Sequence, residues 1–259
     1  MKRALVTGAG KRLGRAMAIE LAGQGYDVAV HYATSRQDAD DVAAEIIAKG
    51  QNAAVLQADL LVEAEVATLV PDAAAALGGP ITVLVNNASI FEHDTLETAT
   101  RESWDRHVES NLRAPVVLTQ AMAAQVPAAA LDVQNEPLAR GLVVNMIDQR
   151  VHNLTPHFMS YTIAKMGLWA FTRTAAQALA PHVRVNGIGP GPTLQASDQT
   201  EAAFAAERAA TILGRGANLD DITGALRYLL HAPAVTGQML TIDGGQHLQW
   251  LREGMTVPE

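Results

Sequence analysis

The sequence predicts an α/β fold: a doubly wound sheet of seven parallel strands with helices on both faces. Three observations carry that expectation. Short apolar segments rich in β-branched residues alternate with longer stretches of helical composition. The short segments are apolar almost without interruption, as strands buried on both faces are. A glycine-rich turn directly follows the first of them and opens a helical stretch.

The first strand falls on residues 4–7, and the turn after it leads into a helix over 15–23. Residues 28–31 form the second strand and 37–49 its helix; 53–58 form the third and 63–77 its helix. The fourth strand, 83–86, ends in two asparagines and is followed by a long helix over 103–124. Residues 127–140 carry Pro, Asn and charge, which marks a surface excursion before the fifth strand at 142–146. A helix over 161–180 joins this to the sixth strand, 183–189, and the seventh lies at 239–242. Residues 201–213, between the sixth strand and the last helix, are where a substrate lid would sit. No linker or repeat divides the chain, so residues 1–259 are expected to form one domain.

With 259 residues, 49% of them hydrophobic and 18% charged, the chain suits one large α/β domain. A net charge of -8 without any Lys/Arg run lacks the electrostatic footprint for nucleic acid or an anionic membrane, so the expected partners are small molecules. The absence of cysteine excludes disulfides, thiol catalysis and thiolate metal sites, and is compatible with a reducing cytoplasm. The first strand begins almost at Met1, leaving no room for a targeting peptide, and no apolar run reaches membrane-spanning length. A soluble cytoplasmic protein is expected. His93, His107, His152 and His157 have no metal-ligand spacing and read as surface or cap residues.

In Thr7-Gly8-Ala9-Gly10-Lys11-Arg12-Leu13-Gly14, the glycines let backbone N–H groups and the positive end of a helix face a pyrophosphate. The ribose of a dinucleotide is read at the end of the second strand, where a carboxylate would bind a free 2′-hydroxyl. This chain has none there. It reads His31-Tyr32-Ala33-Thr34-Ser35-Arg36, and Lys11 and Arg12 add positive charge, so NADP(H) is the expected cofactor. Thr34 and Ser35 are also candidate caps for the next helix. Asp59 and Leu60 end the third strand beside the expected adenine. Asn87, Ala88 and Ser89 end the fourth at the carboxyl edge of the sheet, and Asn86 reads equally as a tie between loops.

Tyr161 and Lys165 stand at i and i+4 of a helix, so the ammonium can favour the ionised phenol and make Tyr161 a usable acid near neutral pH. Taken alone, such a pair also fits a solvated helix surface. With the glycine turn upstream, it points to a nicotinamide-dependent oxidoreductase, its cofactor half within about 1–147 and its catalytic half within about 148–259.

These residues, together with Asn111 and Gly189-Pro190-Gly191-Pro192-Thr193, make the chain resemble the classical short-chain dehydrogenases/reductases over essentially its whole length. The resemblance implies a Rossmann-type fold with Tyr161 as proton donor. Lys165 is then the residue that grips the nicotinamide ribose and lowers the phenol pKa, and Asn111 orders a water for proton relay. It also implies contacts of Pro190 and Gly191 to the carboxamide, with Thr193 as a side-chain partner. A homotetramer built on the helices at 103–124 and 161–180 is implied as well.

One departure narrows the resemblance. The family places a serine thirteen residues before the tyrosine to polarise a carbonyl, and here Asp148 stands there. A carboxylate repels a developing oxyanion but suits a ring rich in N–H groups. With the glycine turn, His31-Tyr32, Ser89 and Phe91, Asp148 makes the chain resemble pteridine reductases and bacterial dihydromonapterin/dihydrofolate reductases. That resemblance implies that Phe91 stacks on a pterin and Ser89 meets cofactor and substrate. Competing readings keep Phe91 in the core, or make Asp148 silent with Ser160 or Ser89 replacing the serine. The rival functions are a broad carbonyl or 3-oxoacyl reductase and a non-catalytic NADP-sensing protein.

Overall fold

The computed structural model describes residues 2–196 and 199–249. Residues 197 and 198, in the expected substrate-side loop, and 250–259, in the expected domain, lie outside the described residues.

The first half runs β1 (Arg3–Val6), α1 (Arg12–Gly23), β2 (Asp27–Tyr32), α2 (Arg36–Ala48), β3 (Ala53–Gln57), α3 (Glu63–Ala76) and β4 (Val83–Asn86). After it come α4 (Arg101–Val108), a π turn (Glu109–Arg113), α5 (Ala114–Ala123), β5 (Ala130–Leu131), β6 (Pro137–Leu138) and β7 (Gly141–Met146). A 3₁₀ turn (Gln149–Val151), α6 (Met159–Leu179), β8 (Val183–Pro190), α7 (Glu201–Ala209), α8 (Leu219–His231), β9 (Met239–Ile242) and a 3₁₀ turn (Gln246–Leu248) complete it. The seven-stranded sheet has the order β3-β2-β1-β4-β7-β8-β9, and every pairing is parallel. The expected fold is the observed one.

Strand alternation sorts the two cores. Ala4 and Val6 of β1 pack on the side of α1, α2 and α8, while Leu5 packs on the side of α3, α5 and α6. Every residue of β1, β2 and β7 is buried, which explains the apolar runs at 4–6, 28–30 and 142–144 within them. The chain winds outward from β1 through β2 to β3, then returns to β4 on the opposite side. The crevice at the carboxyl ends of β1 and β4 is therefore the switch point where such sheets take ligands.

Two elements depart from expectation. The helix over 103–124 is not continuous: α4 and α5 are separated by the π turn that holds Asn111. Pro115 has no N–H to return to the Asn111 carbonyl, so the α-helical ladder cannot pass this point unchanged. The excursion at 127–140 contains an antiparallel ribbon, Ala130 opposite Leu138 and Leu131 opposite Pro137. Its turn is tied by Asp132 Oδ1, which accepts the N–H groups of Gln134 and Glu136, both at 2.9 Å.

Candidate active site

At the β1–β4 end the site is made of backbone. Gly8 has φ +61°, and a Cβ on Gly14 would collide with the Gly8 carbonyl and lie 2.5 Å from Asn87 Nδ2. Thr7 Oγ1 accepts the N–H groups of Asn87 at 2.9 Å and Ala88 at 3.0 Å, and Asn87 Nδ2 donates to Thr7 O at 2.8 Å. These bonds lock the glycine turn to the end of β4, with Ser89 exposed just beyond. The N-terminus of α1 has no side-chain cap and no acid in its first turn, so its positive end is not answered by the chain itself.

The ribose end is arranged differently from the sequence reading. His31 lies beneath the turn: its Nδ1 accepts Gly8 N–H at 3.0 Å and its Nε2 faces Ala58 O at 3.0 Å. Both ring nitrogens are spent on the backbone, and burial holds the imidazole pKa down, so His31 is a neutral support rather than a ligand. Tyr32 is also buried. Lys11 pairs with Asp38 at 2.8 Å, an acid in the first turn of α2 that the strand-end rule does not reach. Arg12, at φ +53°, donates to Gln195 O at 2.8 Å and Leu194 O at 3.1 Å, so it ties the turn to the loop after β8. Thr34 is exposed, and Ser35 occupies the N-cap of α2 without a side-chain cap bond, which leaves its hydroxyl available. Asp59 Oδ1 accepts Leu61 N–H at 2.9 Å, and Leu60 is core.

At the β7–α6 end side chains make the site. Tyr161 Oη donates to Asp148 Oδ2 at 2.8 Å, and Asp148 Oδ1 accepts Arg150 N–H at 2.8 Å. Lys165 Nζ donates to Met146 O at 2.7 Å and stands 5.6 Å from the Tyr161 ring centre. Burial raises the Asp148 carboxyl, and burial followed by the Asp148 charge raises the Tyr161 phenol well above its ordinary value. Burial also lowers Lys165 to about 8. The phenol pKa thus runs opposite to the direction expected from Lys165: burial and the adjacent carboxylate set it. Tyr161 is a neutral donor, which an acid catalyst requires.

Phe91 is not core. It is 47% exposed, stacks face to face on Phe158 at 4.2 Å and meets the Tyr161 ring edge-on at 4.7 Å. With Asp148, Tyr161, Leu13 and the Pro190–Thr193 segment, these rings line a cavity of about 660 Å³. The α7 residues Ala203, Phe204 and Glu207 form its far wall, at the place expected for a lid. Thr193 Oγ1 donates to Gly191 O at 3.0 Å, and Gly191 packs where a Cβ would lie 2.5 Å from Asp243 Cβ. Asn111 is fully buried and clasps Ile90, accepting its N–H at 2.9 Å and donating to its carbonyl at 2.8 Å. It thus fixes the loop that bears Ser89 and Phe91.

Ser160 and His107 need correction. Both are wholly buried and bonded to each other at 2.7 Å, so Ser160 does not replace a carbonyl-polarising serine and His107 is not a surface residue. Sequence reading also missed Phe158, Arg150 and Asp94. Arg150 lies 5.1 Å over the Phe158 ring. An aromatic just before Tyr161 was a usable signal for Phe158; Asp94 had none. Among the described residues no group of three or more His, Cys, Asp or Glu is placed to hold a metal ion, and no helix is long and apolar enough to cross a membrane.

The short chain dehydrogenase family model matches residues 2–206. The chain belongs to that family. It is an oxidoreductase. A 3-oxoacyl-[acyl-carrier-protein] reductase of Synechocystis sp. is 34% identical over 93% of this chain and 95% of its own length. The crystal structure of FolM alternative dihydrofolate reductase 1 from Brucella canis, complexed with NADP, superposes with a TM-score of 0.90 at 41% identity. That match covers 98% of this chain and 97% of the other. A blue fluorescent protein from a metagenomic library, in complex with NADPH, has a TM-score of 0.85 at 30% identity over 95% of this chain and 97% of its own.

Proposed function

We propose that this short-chain oxidoreductase uses NADPH to reduce a pterin or dihydropterin. The observation that carries the reading is the Tyr161–Asp148 bond at 2.8 Å beside the stacked Phe91–Phe158 pair. A carboxylate next to the proton donor disfavours the oxyanion of a simple ketone and matches a heterocycle that presents N–H groups. The exposed Phe91 ring offers apolar surface for a bicyclic ring, a kind of contact worth roughly 0.5–1.5 kcal/mol beyond area burial. The likeness to the NADP-bound FolM structure supports both cofactor and substrate class.

The residues present fit the dinucleotide. The turn from Gly8 to Gly14 admits no Cβ at Gly14, and the uncapped α1 terminus suits a pyrophosphate. Gly8, Gly10 and Leu13 would hold that group, and Lys11 and Arg12 would add their positive charge beside the 2′-phosphate. Thr34 and Ser35 would take the 2′-phosphate, and Asp59 and Leu60 would border the adenine. Asn87, Ala88 and Ser89, with Pro190, Gly191 and Thr193, would hold the nicotinamide end. When bound, NADPH supplies a hydride to a ring carbon.

The chain supplies the matching proton. A C=N bond that gains a hydride at carbon takes one proton at nitrogen, and the Tyr161–Asp148 pair is the proton-bearing group facing the pocket. Tyr161 gives that proton to the ring nitrogen, and Asp148, its carboxyl raised by burial, passes a replacement proton from water along the same bond back to the phenolate. Lys165 would hold the nicotinamide ribose, and Asn111 orders the loop that bears Ser89 and Phe91. We further infer a cytoplasmic homotetramer.

A specific observation favours one rival. The 34% identity to a 3-oxoacyl-[acyl-carrier-protein] reductase supports carbonyl reduction, with Asp148 a bystander. NADPH oxidation measured against dihydrobiopterin, dihydromonapterin, dihydrofolate, ketones and a 3-oxoacyl thioester separates the two. Turnover of a dihydropterin is the expected result; efficient turnover of carbonyl compounds alone would replace this reading with the rival.

A further inference from the structure

A buried run of hydrogen bonds ends one residue from Tyr161. His107 and Ser160 are 0% exposed and Asp94 is 2% exposed, and none of the three lines the cavity. Polar groups buried this deeply cost stability unless each finds a partner. Here each does, and one backbone group sets every direction. The Glu92 N–H can only donate, and it donates to His107 Nε2 at 3.1 Å. The ring hydrogen of the neutral imidazole is then on Nδ1 and is donated to Ser160 Oγ at 2.7 Å. The Ser160 hydroxyl donates onward to Asp94 Oδ2, and Asp94 Oδ1 accepts Ser160 N–H at 3.1 Å. Burial keeps His107 below its usual pKa; at Asp94 burial opposes the charge, but the Ser160 bonds, with His107 and Ser103 beside them, together leave the carboxyl lowered.

The helix that bears Tyr161 lacks a cap of its own. Its N-cap residue, Phe158, is left-handed at φ +57° and forms no side-chain cap bond. The loop after β4 supplies what is missing: Asp94 O accepts Met159 N–H at 3.3 Å and Asp94 Oδ1 accepts Ser160 N–H. Tyr161 is the next residue. The same loop carries Phe91, and the His107 and Tyr161 rings meet edge to face at 6.0 Å.

We propose that Asp94, Ser160 and His107 are positioning residues that pin the first turn of α6 to the loop after β4 and so hold the Tyr161 hydroxyl on Asp148. This rests on Tyr161 as proton donor, and not on which substrate is reduced. The bond directions demand a carboxylate at 94. In Asp94→Asn the amide must turn its NH₂ either to the Ser160 N–H or to the Ser160 hydroxyl, which His107 already serves, and in both orientations one donor loses its acceptor.

The test is a set of kinetic cycles on whichever substrate the enzyme turns over. Ser160→Ala, Asp94→Asn and His107→Leu should each lower kcat by on the order of ten- to a hundredfold, the scale of a misplaced catalytic group, with KM for NADPH little changed. His107→Gln, whose amide can accept from Glu92 and donate to Ser160, should recover most of that loss. In a Tyr161→Phe background none of the four should slow the residual rate further, because the group they position is gone. Losses that multiply with Tyr161→Phe, losses confined to KM for NADPH, or a Gln variant no better than Leu would overturn the positioning role. Should Asp94→Asn not fold, the two His107 variants decide the question alone. Near-normal turnover by Tyr161→Phe itself would instead remove the proton-donor assignment, a failure read from that single variant.

Discussion

The β1–β4 end of the crevice and its β7–α6 end differ in what they are made of. The first offers backbone, brought close by Gly8 and Gly14 and fastened by Thr7 and Asn87. The second offers the side chains of Asp148, Tyr161 and Lys165, tuned by burial and by one another. A backbone site tolerates almost no added volume but has little chemistry to lose. A side-chain site tolerates isosteric change in shape, yet loses its chemistry with a single atom.

That contrast orders the experiments. Tyr161→Phe removes one oxygen at the side-chain end and should lower kcat by about 10²–10⁴-fold, the usual worth of a positioned acid, while NADPH affinity measured by fluorescence titration holds. A variant that kept its rate but lost NADPH would reverse the division of labour between the two ends.

At the backbone end, Gly14→Ala adds one carbon against the Gly8 carbonyl. Overpacking of this kind costs about 1–3 kcal/mol, so Tm should fall and the NADPH Kd should rise roughly tenfold or more. An alanine variant with wild-type Tm and Kd would show that the close approach is not needed.

The pH dependence separates the ends again. Lys165 titrates at about 8, whereas the Tyr161 phenol lies well above its ordinary value, so kcat/KM for NADPH should fall as pH rises past 8 through loss of the ammonium. The same shift has a sign for stability. The folded pKa lies below the ordinary lysine value of 10.5, so the unfolded chain binds more protons between about 8 and 10.5, and this group makes stability rise with pH across that window. A flat rate profile through pH 9 would mean that the ammonium is not required in the free enzyme.

The smallest effect is expected at Arg12, which bonds the loop carbonyls of Leu194 and Gln195. Arg12→Ala should raise KM for NADPH several-fold more than KM for NADH, since Arg12 is exposed and a solvent-exposed ion pair is worth about 0.2–1 kcal/mol. Equal rises for the two cofactors would assign Arg12 to the loop instead of the phosphate.

The same contrast explains what could be read from the sequence. Glycine at 8 and 14, and Asn87 at a strand end, report backbone geometry directly, because few other residues fit there. The unbroken apolar strands likewise gave away the sheet. Tyr161 and Lys165 were legible through their spacing on one helix, and Asp148 through the resemblance, at the place where the family carries a serine. Asp94, His107 and Ser160 were not, because they meet only after β4, α4 and α6 have packed, and no local period marks such a meeting. The direction of the Tyr161 pKa escaped for the same reason: burial and Asp148 decide it, and the i+4 lysine does not. Asp38, two residues past the expected ribose contacts, was hidden behind a rule about strand ends.

Asp148 carries the central claim, and one ratio tests it: kcat/KM for a dihydropterin over kcat/KM for a simple ketone, in the wild type and in Asp148→Ser. The expected result is a loss of pterin reduction on the order of a hundredfold, the scale of one well-placed acid or electrostatic group, while ketone turnover holds or rises as the charge beside the oxyanion is replaced by a hydroxyl donor. A wild type inactive on every pterin but efficient on ketones, or a serine variant whose ratio does not move, would contradict it.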